Sequence, residues 1–287
     1  GLQRSCRDAA PFVRQRRCGT HVMNYSREEM MTVAAARQLR DGEVCFVGIG
    51  LPSAACNLAR LTHAPDLVLI YESGTIGTQP TILPLSIGDG ELAETADFIV
   101  SLPDVFAYYL QAGRVDVGFL GAAQMDRFGN LNSTVIGDYA RPSTRLPGAG
   151  GAPEIAAHAG RTLVVMKASP RSMVASLDFR SSAGFLDGAG CRSALGMHGR
   201  GPQTVITDVG ILRPHPATQE LQLAALFPGI TSAEACAGFA WPLRLAEDLD
   251  TLTAPSAHEF AVLRSLQRRS AAAHLQPRDL PMHRLDT

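Results

Sequence analysis

Apolar positions along this chain alternate between two rhythms. From residue 26 the first is helical: Met30, Val33, Ala34 and Leu39 recur near the 3.6-residue period, and Asp41-Gly42 ends the run. Ser26 followed by Glu29 forms a capping box, in which the hydroxyl takes a backbone N–H and the carboxylate reaches back to the cap, so a helix is predicted to begin there. The second rhythm is a short continuous run, Val44-Cys45-Phe46-Val47, which feeds Gly48-Ile49-Gly50-Leu51-Pro52-Ser53. A buried strand, a glycine turn and a helix over 54–61 follow in that order, and Pro65-Asp66 breaks the helix before a second strand, Leu67 to Tyr71.

The alternation repeats. Phe98-Ile99-Val100 reads as a strand, 105–111 as a helix, and 115–120, 162–166 and 204–207 as further strands. Apolar strands separated by helices predict an α/β layered domain, with a largely parallel sheet covered by helices on both faces. No linker-like tract interrupts residues 23–265, which are expected to form one domain, and residues 266–287 are expected to be a loosely held tail. Residues 1–22 carry Arg4, Arg7, Arg14, Arg16 and Arg17 without periodic apolar positions. They read as an unstructured leader, an expression remnant or upstream start ahead of Met23, with an Arg-rich transit peptide as the rival.

Composition narrows the partners. A chain of 287 residues, 46% hydrophobic, can bury a substantial core, and a formal net charge of −1 supplies no positive field for nucleic acid. No apolar run reaches membrane-spanning length, so a cytoplasmic protein is expected. The six cysteines show no C-x-x-C pairing and no histidine at metal-ligand spacing, so free thiols and no metal are expected. Cys45 and Cys56 read as small buried hydrophobes, and His63 and His158 as surface or capping residues.

Ligands of such sheets bind in the turns beyond the carboxyl ends of the strands, and three glycine clusters lie in such turns. Gly48-x-Gly50-x-x-Ser53, with Glu72 downstream, approximates a dinucleotide fingerprint, which would make Glu72 a ribose ligand of an NAD enzyme. Ser53 in place of the third glycine and the stiff Pro52 weaken that assignment. Glu72 also opens Glu-Ser73-Gly74-Thr-Ile-Gly77, where nearby glycines let backbone approach the carboxylate as a reacting centre requires. A structural ion pair is the bland alternative. The third cluster, Gly148-Ala-Gly150-Gly151-Ala152, precedes a predicted helix and reads either as an anion nest of backbone amides or as a plain turn.

Taken in order, Gly-Ile-Gly-Leu-Pro (48–52), Glu-Ser-Gly (72–74), Leu-Gly-Ala-Ala-Gln with Asp-Arg-Phe-Gly-Asn (120–124, 126–130) and Pro-Gly-Ala-Gly-Gly-Ala (147–152) resemble the β subunit of family I CoA-transferases. The resemblance covers about residues 23–250. Glu-Ser-Gly, followed by Asn132 to Tyr139, is similar to the glutaconate CoA-transferase branch. The resemblance implies the fold of the CoA-transferase and sugar-phosphate isomerase-like superfamily. It also implies transfer of coenzyme A between carboxylic acids by double displacement, with Glu72 as nucleophile and the amide of Gly150 or Gly151 as oxyanion donor. Gly48, Gly50, Ser73, Gly74 and Gly148 would line the CoA side. The acyl-CoA thioester would be substrate, with no tightly bound cofactor, and an α subunit would complete a hetero-oligomer. An acyl-CoA hydrolase of the same fold is the nearest alternative. Phosphate-binding isomerase or sensor domains of the superfamily are a more distant one.

Overall fold

Ser26 caps the first helix as its sequence requires: the Glu29 N–H donates to Ser26 Oγ at 3.0 Å and the Ser26 N–H donates to Glu29 Oε2 at 2.8 Å. The computed structural model describes residues 25–275, so the expected leader lies outside the described residues. The elements that shape the domain are α1 (Arg27–Ala36), β1 (Val44–Phe46), α2 (Leu51–Arg60), β2 (Val68–Ile70), β3 (Thr75–Ile76), β4 (Phe98–Ile99) and β5 (Val117–Leu120). Then come α3 (Ala152–His158), β6 (Arg161–Val165), β7 (Pro202–Ile206), β8 (Gly210–Pro214), β9 (Leu221–Leu226), β10 (Arg244–Thr251) and α4 (Ala257–Leu275).

The strands form one ten-stranded sheet in the order β10-β9-β8-β7-β6-β5-β1-β2-β3-β4. Its middle, β2-β1-β5-β6-β7, is parallel, as the alternation of strands and helices predicts. The margins are antiparallel at β2-β3-β4 and at β7-β8-β9, while β9 and β10 run parallel. Most of these marginal strands lie outside the predicted set. The exception is β4, which lies within the predicted strand 98–100, whereas the two-residue β3 is too short to show a period and exists because a hairpin brings the chain back onto the edge of β2.

Each strand serves two cores because its side chains alternate between faces. Cys45, Leu69, Tyr71, Phe119 and Leu163 pack with α1, α2 and Leu263 of α4 on one face. Phe46, Ile70, Leu120 and Val164 pack with Val105, Leu110 and Ile155 on the other. Two carboxylate–guanidinium pairs hold α4 against α1: Arg37 Nε to Glu259 Oε1 and Arg264 Nε to Glu29 Oε1, both 2.7 Å. The boundary expected at residue 265 falls inside α4, where Leu266 and Ser270 are buried and Ser270 Oγ accepts the Leu83 N–H at 2.7 Å. Among the described residues, no helix is long and apolar enough to cross a membrane.

Candidate functional site at the turn after the second strand

Glu72 occupies the turn that closes the β2–β3 hairpin. The Gly74 N–H donates to the Tyr71 carbonyl at 3.0 Å, and the Tyr71 N–H donates to the Thr75 carbonyl at 3.1 Å. This turn projects beyond the carboxyl end of β2, and Glu72 is half-buried in it. The backbone of Gly74 is left-handed, with φ +102°, and a β-carbon there would fall on the Val100 carbonyl. Strand packing therefore accounts for Gly74. Ser73 Oγ, on the next residue, is buried without a hydrogen-bond partner among the described residues.

The first glycine cluster reaches the same edge of the sheet from β1. Gly50 turns the chain with φ +84° and its carbonyl accepts the Ala54 N–H at 3.0 Å, which starts α2. Pro52 folds back against Gly48. One side-chain contact joins this turn to that of Glu72: Ser53 Oγ and Tyr71 Oη lie 2.8 Å apart, both buried. Burial pushes the Tyr71 pKa well up, against the pull of the Ser53 hydrogen bond, so the pair is neutral.

The third cluster arrives from across the sheet. Its helix, α3, packs closely on β5 because Gly118 has no β-carbon, and Ile155 fills that space. The Gly148 N–H is spent on the Ser133 carbonyl at 3.0 Å, whereas the N–H groups of Gly150 and Gly151 donate to no described residue. Gly151 has an ordinary φ of −79°. Crowding demands the glycine: a β-carbon would lie 2.5 Å from Phe106 Cζ and 3.2 Å from Glu72 Oε1. Glu72 and the glycine loop thus meet at Gly151. Gly48 and Gly50 shape the turn that leads into α2, and Gly148 supports the glycine loop by its backbone bond.

Phe106 is the neighbour that sequence reasoning missed. It belongs to a π-helical turn, Val105–Leu110, in place of the α-helix expected over 105–111. Its ring packs 5.9 Å from that of Phe46, centroid to centroid. No local motif marks it, because its role depends on the glycine loop that crosses over it.

Several other sequence features resolve into structural roles. In the Asp-Arg-Phe-Gly-Asn stretch, Asp126 accepts the N–H of Phe128 at 2.9 Å, and Asn130 clamps residues 184–186 through its amide group. His63 meets the Leu39 carbonyl at 3.2 Å, and His158 pairs with Glu154 along α3 at 3.2 Å. Cys45, Cys56 and Cys191 are free, the first two buried with sulfurs 3.6 Å apart. Among the described residues no group of His, Cys, Asp and Glu could hold a metal ion. The chain after Glu72 doubles back into antiparallel β3, where a dinucleotide fold would enter a crossover helix.

Comparison with known proteins agrees with this fold. The Coenzyme A transferase family model matches residues 28–234. The chain is 56% identical over 252 residues to a subunit of the 3-oxoadipate CoA-transferase of Pseudomonas knackmussii, covering 88% of this chain and 97% of that protein. It is 38% identical over 213 residues to a subunit of the glutaconate CoA-transferase of Acidaminococcus fermentans, covering 71% and 79% of the two chains. The crystal structure of the Acidaminococcus glutaconate coenzyme A-transferase superposes with a TM-score of 0.79 at 34% identity, over 84% of this chain and 94% of that one. A layered sheet of matching topology, a glutamate turn facing a glycine loop, and kinship over most of the chain lead to one assignment: this protein belongs to the coenzyme A transferase family and is a CoA-transferase subunit.

Proposed function

We propose that this chain is the nucleophile-bearing subunit of a two-subunit enzyme that transfers coenzyme A to and from a dicarboxylic acid of the 3-oxoadipate class, through a covalent adduct on Glu72. The observation that carries the proposal is the approach of Glu72 Oε1 to Gly151, whose N–H and that of Gly150 are unspent. The substrate class follows the relative of 56% identity. A partner subunit is supported by relatives that are themselves single subunits of larger enzymes.

In this mechanism a Glu72 oxygen attacks the acyl-CoA carbonyl. The oxyanion that develops is met by amide donors at Gly150 or Gly151, each such donor being typically worth about 3 kcal/mol. CoA leaves as thiolate, producing an acyl-glutamyl anhydride. The thiolate then attacks the Glu72 carbonyl carbon, the first carboxylate departs, and a glutamyl-CoA thioester remains. An acceptor carboxylate reverses both steps. A carboxylate nucleophile suits this exchange, because its anhydride and thioester match the substrates in reactivity and divide one hard step into easier ones.

The test is an intact-mass measurement on the complex of this chain with its cognate partner subunit. Incubation with acyl-CoA and no acceptor should add the mass of CoA less water to this chain. Glu72→Gln should abolish the adduct and lower transfer by orders of magnitude while CoA binding survives. The isolated chain should turn over little or not at all. An unmodified chain during active turnover would overturn the proposal.

A further inference from the structure

An aromatic ring lies close to both the glycine loop and Glu72. Phe106 and Glu72 both abut the point where a Gly151 β-carbon would stand, the ring at 2.5 Å by Cζ and 2.9 Å by Cε1, the carboxylate at 3.2 Å by Oε1. Their separation cannot exceed the sum of two short contacts, so the ring borders the carboxylate or the gap beside it. It is backed by Phe46, which is buried, and flanked by Val105 and Leu110, which are fully buried.

The segment that carries it is built in an uncommon way. The Gln111 N–H donates to the Phe106 carbonyl and the Arg114 N–H to the Tyr109 carbonyl, both at 2.8 Å, each spanning five residues. Such π-turns cost helical regularity and concentrate at functional sites. Here the turn places an apolar ring beside the gap that Glu72 and Gly151 border. A glutamyl thioester or anhydride at this position is exposed to one competing nucleophile of overwhelming concentration, which is water.

We propose that Phe106 keeps water from the Glu72 carbonyl carbon and so sets the partition of the activated enzyme between carboxylate acceptor and hydrolysis. The inference rests on Glu72 as the nucleophile. In the reaction that Phe106 suppresses, a water oxygen bonds to the Glu72 carbonyl carbon and the C–S bond breaks. CoA departs as thiol with one proton, and the Glu72 carboxylate is restored as the other proton passes to solvent. The acid acceptor is not excluded in the same way, since it arrives in place of the departing acid. An apolar ring removes room and hydrogen-bonding partners for a water, which needs both to remain in a site.

The experiment uses the reconstituted complex, parent and with Phe106→Ala or Phe106→Leu. Two quantities are read: the lifetime of the CoA adduct on this chain without acceptor, and the ratio of acyl-CoA hydrolysis to transfer with acceptor. Phe106→Ala should shorten the adduct lifetime and raise the ratio by on the order of tenfold or more, with Phe106→Leu between it and the parent. A merely structural role would lower hydrolysis and transfer together and leave the ratio unchanged. If Phe106→Ala does not assemble, the Leu variant decides: an unchanged ratio and lifetime overturns the proposal. A parent complex that never acquires the adduct is a different result, which defeats the assignment of Glu72 itself.

Discussion

Ser53 and Tyr71 share a buried hydrogen bond of 2.8 Å that joins the turn after β1 to the residue immediately preceding Glu72. Removing either partner leaves the other hydroxyl buried and unpaired, at a cost of about 1–3 kcal/mol. Ser53→Ala and Tyr71→Phe should each destabilise the fold by that order and lower kcat through a less rigid Glu72 turn. The double variant should lose less than the sum of the singles. Denaturant unfolding and steady-state kinetics of all three, as a double-mutant cycle, check this, and strictly additive losses would count against the coupling.

Gly150 and Gly151 should respond differently to alanine. A side chain at Gly150 meets open space and pays only for the left-handed φ of +51°, roughly 1–2 kcal/mol. At Gly151 the backbone is relaxed but the β-carbon strikes Phe106 and crowds Glu72. If Glu72 is the nucleophile, Gly151→Ala should therefore cost on the order of a hundredfold in kcat by displacing its carboxylate. Gly150→Ala should lower stability more than turnover. Proline is less informative at either site, since its ring brings the same β-carbon to Gly151 and its fixed φ of about −65° contradicts Gly150.

Asn130 holds residues 184–186 by accepting the N–H groups of Gly184 and Leu186 at 2.9 and 3.0 Å and donating to the Leu186 carbonyl at 2.8 Å. Leu186 is bound there in a left-handed conformation, φ 59°, that a leucine does not favour. Asn130→Asp replaces the donor with an acceptor that faces both that carbonyl and the Asp126 carboxylate, which Asn130 Nδ2 meets at 2.8 Å. We expect a loss of about 3 kcal/mol or more and a clear fall in Tm, with the catalytic constants of the surviving folded enzyme little changed.

Acid should loosen α4. Burial opposes ionisation of Glu259, but the Arg37 and Ser256 hydrogen bonds outweigh it and hold its pKa at about 2. A carboxyl with a depressed folded pKa contributes its stability fully above the unfolded value, near 4.5, and loses it as pH falls from there toward 2. Glu259→Gln should flatten that part of the stability curve, and Arg37→Ala should do the same. An unchanged acid slope in both would show that the pair contributes nothing to it.

The sequence alone was enough for the elements whose signals are local. The capping box started α1 at its place, and the apolar runs at 44–47 and 67–71 became β1 and β2, because burial on both faces requires nearly continuous apolar residues. Glu72 and the glycine loop were legible as candidate chemistry for the same reason, since residue type and glycine spacing are written in order along the chain. What the sequence could not express was which surfaces meet. Strand β3 is too short to carry a period and forms only where the hairpin after β2 finds an edge, and although Phe98-Ile99 read as a strand, its antiparallel pairing with β3 did not show in the sequence. Phe106 sits in no motif, and Gly151 looks like a flexible turn residue until the fold presses both Phe106 and Glu72 against it. Those contacts join residues far apart in the chain through packing of α3 on β5, a long-range matter of volume and register that no local pattern records.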